Sequence, residues 1–201
     1  MRFSPALFRH AEVLLSELLR SAFPADLVVS NYFRQHRELG HADRGFVAEI
    51  VFAVLRRKRS LSARCADEVT SRRLLLAALA CLQGMNRREL AVVLNESESK
   101  WLAHAKAVKA DDLPVAVRLD LPDWLYGQLT EQFSAEEIER LAAGLNQPAP
   151  LDLRVNSLKA GRQDVLARLL ADGLTAEACP YSPLGIRLAG KPALSKHPLF
   201  V

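Results

Sequence analysis

Apolar residues along this chain recur first at helical and then at strand spacing. Between Asp43 and Leu61 they stand at Phe46, Val47, Ile50, Val51, Val54 and Leu55, the stripe of a helix packed on a core. Asp43 is placed as its N-cap, just past Gly40, and the helix is expected to run on into Arg56, Arg57, Lys58 and Arg59. This is the element around which the chain is expected to organise. Upstream, Ser4-Pro5 is a cap followed by proline at the first helical position, and Leu7, Ala11, Leu14, Leu18 and Ala22 predict a helix over about residues 5–22. Pro24 ends it, and a second helix over about 25–38 closes at Gly40.

Downstream, a short helix is expected over Leu61–Val69. Ser71 is read as the cap of a very apolar, buried run, Leu74–Leu82, stopped by Gly84. Asn86 should cap Arg87–Leu94, and Ser97 a helix containing Trp101, Leu102 and Ala105. Leu121-Pro122 opens a helix with Trp124, Leu125 and Leu129, and Ser134-Ala135-Glu136-Glu137 reads as a capping box for a last helix to about Leu145.

The period changes at Asn146–Pro150, NQPAP, which is taken as a domain boundary. Leu151–Val155 alternates like a half-buried strand, and Gly161–Gly173 carries a helical stripe. Leu174–Cys179 and Leu184–Leu188 are further strand candidates. The expected fold is mainly α: a bundle of seven to nine helices over residues 1–146, then a small β-α-β-β, α+β unit over 147–201. The proline-containing end at His197-Pro198 is read as a cut rather than a natural terminus.

Composition narrows the class. Half of the 201 residues are hydrophobic and 25% are charged, as in an ordinary globular protein. The net charge of +4 is modest but uneven: residues 51–100 hold ten Lys/Arg against five Asp/Glu, whereas residues 101–150 hold four against eight. Neither a signal peptide nor a run long enough to span a membrane is present in the sequence, and a cytoplasmic protein is expected. The three cysteines, Cys65, Cys81 and Cys179, lack metal-site or disulfide spacing. Cys65 and Cys81 read as small core residues, and Glu177 near Cys179 opposes a reactive thiolate there. The five histidines, His10, His36, His41, His104 and His197, do not cluster in sequence and are read as surface or cap residues, so no metal site is expected. No nucleotide-cradling glycine loop occurs, and no catalytic or cofactor-binding residue is assigned.

The positive signal is an arginine-dominated set. Between Arg56 and Arg88 stand nine cations (Arg56, Arg57, Lys58, Arg59, Arg64, Arg72, Arg73, Arg87 and Arg88) and two anions, Asp67 and Glu68. Arginine grips phosphate with two parallel hydrogen bonds and stacks on bases. Each cluster falls at a predicted helix boundary, and helix ends in a bundle can share one rim. A polyanion site is the functional reading, extended by Arg34, His36 and Arg37; a solvated positive face is the alternative. Tyr32 and Phe33 are read as core.

Two stretches also resemble a known family. Pro24–Leu61, PADLVVSNYFRQHRELGHADRGFVAEIVFAVLRRKRSL, resembles the start of the NusB-like helical domain in bacterial Sun/Fmu-type, RsmB-like ribosomal RNA cytosine-C5 methyltransferases. Leu151–Phe200 is similar to the small segment that precedes their methyltransferase domain, with Arg154, Val155, Asn156, Leu158, Lys159 and Arg162, then Gly185-Ile186 and His197-Pro198. The resemblance implies binding of ribosomal RNA, with Arg154, Asn156 and Lys159 added to the candidate contacts. The alternative for Arg154 and Asn156 is stapling of the hairpin or a domain interface. It also implies a following S-adenosylmethionine domain in cis, carrying Pro-Cys and Thr-Cys catalytic cysteines. Cys179-Pro180 has the reversed order and lies too early, so that role is not carried over. The chain as it stands is expected neither to bind the cofactor nor to methylate. The rival is a NusB-like protein-interaction module without catalysis, docking through the acidic, amphipathic Trp124–Leu145 region.

Overall fold

The computed structural model describes residues 3–65, 68–190, 192, 194 and 197–200 of the chain. Helix α1 (Pro5–Arg20) starts where Ser4 Oγ accepts from the Leu7 amide, and it buries Leu7, Phe8, Ala11, Leu14, Leu15 and Leu18. α2 (Ala25–Gln35) follows Pro24 and buries Val29 and Tyr32. α3 (His41–Arg56) buries Val47, Ile50, Val51 and Val54, the central part of the expected stripe. Its N-cap is Gly40, one turn ahead of Asp43, which sits in the first turn where a carboxylate suits the unpaired amides.

The expected run of α3 into Arg59 is broken. Arg57 leaves helical geometry (φ −108°, ψ 23°), and α4 (Lys58–Arg64) begins there. The centre of the bundle is α5 (Ser71–Cys81), capped by Thr70 rather than Ser71. Every residue from Leu74 to Ala80 is buried, which is why this run shows no polar face. α6 (Arg87–Leu90) and α7 (Glu96–Ala107) open with capping boxes, Asn86 with Glu89 and Asn95 with Glu98. Ser97 therefore lies inside α7 and donates to Asn95 Oδ1 instead of capping. Helices α1, α3, α4 and α7 pack on α5.

A short helix that the spacing does not predict, α8 (Val115–Arg118), leads to α9 (Asp123–Thr130) and α10 (Ala135–Leu145). Four residues are too few to display a period. Leu119, Leu121, Ile138 and Ala142 form a small core of their own here.

The remaining elements are β1 (Leu151–Arg154), α11 (Arg162–Ala171), β2 (Ala176–Ala178) and β3 (Gly185–Leu188). The sheet order is β1-β3-β2, antiparallel throughout, with Ile186 opposite both Leu153 and Ala178. Val155, Leu169, Ile186 and Leu188 fill its core. Gly173, at φ 82°, ends α11 in a conformation that costs glycine little. Gly185 is required sterically: a Cβ there would lie within 3.0 Å of Cys179 and Ser182. The chain divides into two compact units, Met1–Gln147 and Pro148–Val201. It is mainly α with a small α+β unit, as the periodicity indicates.

Candidate nucleic-acid interface

In the helical unit, four of the candidate arginines are held by carboxylates. Asp120 is the non-glycine residue with left-handed backbone among the described residues (φ 58°), and its side chain is 1% exposed. Its Oδ1 accepts from the Ser60 amide at 2.8 Å and its Oδ2 from Ser60 Oγ at 2.8 Å. Arg57 Nε lies 3.2 Å from the same carboxylate. The Ser60 amide is an unpaired donor in the first turn of α4, so a residue 60 positions away caps the helix. Arg59 donates to Leu121 O and, at 2.8 Å, to Asp123 Oδ1. The basic run thus fastens the α3–α4 junction to the segment before α9.

Arg72 makes a bidentate contact with Glu98, donates to Val93 O, reaches Glu12 at 3.4 Å and lies over the Phe8 ring at 5.1 Å. The hydrogen bond from Arg72 holds the Glu98 carboxyl below its ordinary range. Arg73 pairs with Glu68 at 2.9 Å and lies 5.3 Å from the Trp101 ring centroid. Arg64 donates to Ala105 O and Val108 O, closing the C-terminus of α7. Arg56 is half-buried, its Nε without a hydrogen-bond partner. By contrast Arg34, Arg37, Lys58, Arg87 and Arg88 are exposed, and among the described residues none of these five forms an ion pair. Arg34 donates to Asn31 Oδ1.

In the small unit the alternation of β1 puts Asp152, Arg154 and Asn156 outward while Val155 is buried. Asp152 is taken by Arg187, its cross-strand partner, through two hydrogen bonds of 2.8 Å. Arg154 faces Gly185 across the ladder and meets no side chain there. Its guanidinium makes no ion pair among the described residues. Asn156 shapes the turn into α11: its Oδ1 accepts from the Leu158 amide at 3.1 Å and its carbonyl from the Lys159 amide at 2.9 Å.

Arg154 borders three concavities, two of which adjoin this turn. The largest, about 460 Å³, is edged by Arg154, Asn156 and Lys159 over an apolar floor that includes Val165 and Leu169. A second, about 320 Å³, is edged by Arg154, Arg187 and Tyr181. Tyr181 is 100% exposed. Sequence reasoning passed over it; the signal was an aromatic in a turn flanked by Pro180 and Pro183, where no core position is available. Two of the thiols lie in the helical core, and neither lines these concavities. Burial pushes Cys65 up to about 11 and Cys81 upward, which keeps them protonated and inert.

Residues 121–195 match the family model described as methyltransferase RsmF/B-like, ferredoxin-like domain. That match begins at Leu121, so it takes in α9 and α10, which pack with the helical unit. The chain is 26% identical over 217 aligned positions to the probable ribosomal RNA small subunit methyltransferase B of Synechocystis, covering 90% of this chain and 48% of that protein. In fold it is similar to the crystal structure of PH0851, with a TM-score of 0.64 and 14% identity over 100% of this chain and 52% of that one. The chain spans about half the length of the curated relative it matches. These matches bear out the resemblance of the chain to RsmB-like methyltransferases; the family model takes in most of Leu151–Phe200 and does not reach Pro24–Leu61.

Proposed function

We propose that this chain is the N-terminal region of an S-adenosylmethionine-dependent small-subunit rRNA (cytosine-C5) methyltransferase, and that its part in the reaction is to dock the substrate RNA. The observation that carries this reading is Arg154, without an ion pair among the described residues and bordering three concavities, in a chain that aligns over 90% of its length with a probable rRNA methyltransferase. Arg154 and Lys159 meet phosphate oxygens. Asn156, its Oδ1 taken by the turn, has its amide N–H groups to offer a base edge or ribose. Tyr181 offers a flat face for an unstacked base, the usual mode of single-stranded RNA recognition. The exposed cations Arg34, Arg37, Lys58, Arg87 and Arg88 add phosphate contacts from the NusB-like helical domain over residues 1–146. The methyl donor supplies an electrophilic methyl group on a cationic sulfonium. Concavities edged by arginine and lysine suit phosphate rather than that cation, so no residue here is assigned to it. A cytoplasmic location follows from the proposed substrate; no described helix is long and apolar enough to cross a membrane.

The test is titration of a small-subunit rRNA fragment, read by fluorescence anisotropy at two salt concentrations. Arg154→Ala with Lys159→Ala should lower affinity about tenfold and reduce the log–log salt slope by roughly 2. Unchanged affinity and slope, with the fold intact by circular dichroism, would remove the small unit from the docking surface.

A second reading rests on α9, α10 and their connection, where Trp124 is 67%, Phe133 45% and Leu145 59% exposed. Exposed aromatic and leucine side chains suit a protein partner, as in a NusB-like interaction module. A partner captured from nuclease-treated extract, and lost on Trp124→Ala, would favour it.

A further inference from the structure

The fold brings together three side chains that the proposed function does not use. His10 lies in the middle of α1, His36 is the C-cap of α2, and Glu38 stands in the turn before α3. One ligand atom from each lies within 4.8 Å of the other two. His36 Nδ1 is 2.8 Å from Glu38 Oε1, and His10 Nε2 is 3.8 Å from the same oxygen. Zinc bonds of about 2.0–2.2 Å put tetrahedral ligands roughly 3.3 Å apart. Closing around an ion would open one of these distances by about half an ångström and shorten the other by as much.

Neighbouring groups hold the donors in place. Tyr32 Oη lies 2.9 Å from His10 Nδ1. With the ring hydrogen on Nδ1, donating to that oxygen, Nε2 presents its lone pair toward Glu38. This is the outer hydrogen bond that fixes the tautomer of a metal-ligating histidine. From α3, Arg44 donates to Leu39 O at 2.8 Å and to His36 O at 3.1 Å, which pins both ends of the turn that carries Glu38. The His36 ring also stacks at 4.2 Å on Tyr32.

We propose that His10, His36 and Glu38 bind a divalent transition-metal ion, zinc foremost, leaving a fourth position for water. Two imidazoles and one carboxylate form a borderline donor set that takes zinc, cobalt or nickel over magnesium and calcium. The side chains are partly exposed (21%, 33% and 59%), so the ion reaches them from solvent. Bound there, it ties α1 to the α2–α3 turn. The proposal stands independently of the RNA reading.

Calorimetric titration of the metal-free protein with zinc chloride should show one equivalent bound, and titration with cobalt(II) should produce the intense visible absorption of a tetrahedral ion. His10→Ala, His36→Ala and Glu38→Gln should each lower affinity at least tenfold; Tyr32→Phe, which removes only the outer hydrogen bond, should lower it roughly 10–100-fold. Glu38→Gln keeps the shape of a partly exposed side chain, so it reports on the site even where a histidine variant folds poorly. Absence of binding overturns the proposal. So does binding that survives Glu38→Gln unchanged, or cobalt bound with thiolate charge-transfer bands, which would place the ion on a cysteine.

Discussion

The arginines of the helical unit and those of the small unit look alike in sequence and differ in what surrounds them. Arg57, Arg59 and Arg72 each meet a carboxylate delivered by a distant segment, Asp120, Asp123 and Glu98 in turn, and Arg73 meets Glu68 from the segment before its own helix. Arg154 stands at the same kind of element end, yet its cross-strand neighbour is Gly185, and it opens onto concave surface. In the bundle, helix ends meet other chain segments, and an arginine there satisfies carbonyls and carboxylates that would otherwise be left without partners. On the three-stranded sheet the cross-strand neighbour decides: Arg187 faces Asp152 and is taken by it, whereas Arg154 faces Gly185 and forms no ion pair among the described residues. Charge clustering along the chain does not separate spent arginines from exposed ones: Arg87 and Arg88 in the helical unit have no ion pair among the described residues, while Arg187 in the small unit is taken by Asp152.

The largest expected effect separates the two regions by stability. Asp120→Ala removes the cap of α4 and the partner of Arg57, and should cost about 3 kcal/mol in chemical denaturation. The loss would be partly offset, by about 1 kcal/mol, in Asp120→Gly, which relieves the left-handed backbone. Arg72→Ala follows at about 2 kcal/mol, because it strands the largely buried Glu98 and frees Val93 O. RNA affinity should be unchanged in Asp120→Ala and Arg72→Ala; a salt-dependent loss of binding in Arg72→Ala would put that arginine on the RNA despite its carboxylate partners.

The acid dependence sharpens the same contrast. Glu98 is held below its ordinary value of 4.5 in the folded state. Its contribution to stability is present above that value and is lost as pH falls below 4.5 and through the folded value. Melting curves recorded at stepwise lower pH should show this loss in the parent protein and a reduced one in Glu98→Gln. The smallest effect on the fold is expected for Arg87→Ala with Arg88→Ala. These exposed side chains lack ion-pair partners among the described residues, so the melting temperature should not move, while the salt slope of RNA binding falls by about 2.

Some of this was legible without coordinates because it is local. The Ser4-Pro5 start, the Asn86 cap, the capping box at Ser134 and the β-α-β-β order rest on neighbours a few residues apart. The all-round burial of Leu74–Ala80 was equally plain from the run itself. The R-x-N pair at Arg154 and Asn156 follows from the two-residue repeat of a strand. What the sequence determined, then, was element type, order and the outward faces, since these depend on period and capping. Tertiary structure alone decided which cations are spent on partners, because Arg57 meets Asp120 and Arg72 meets Glu98 only after the chain folds back. It alone ended α3 at Arg56, where Asp120 supplies a cap for a new helix. It alone assembled His10, His36 and Glu38, since two donors 26 residues apart along the chain share a site only when α1 and α2 pack side by side.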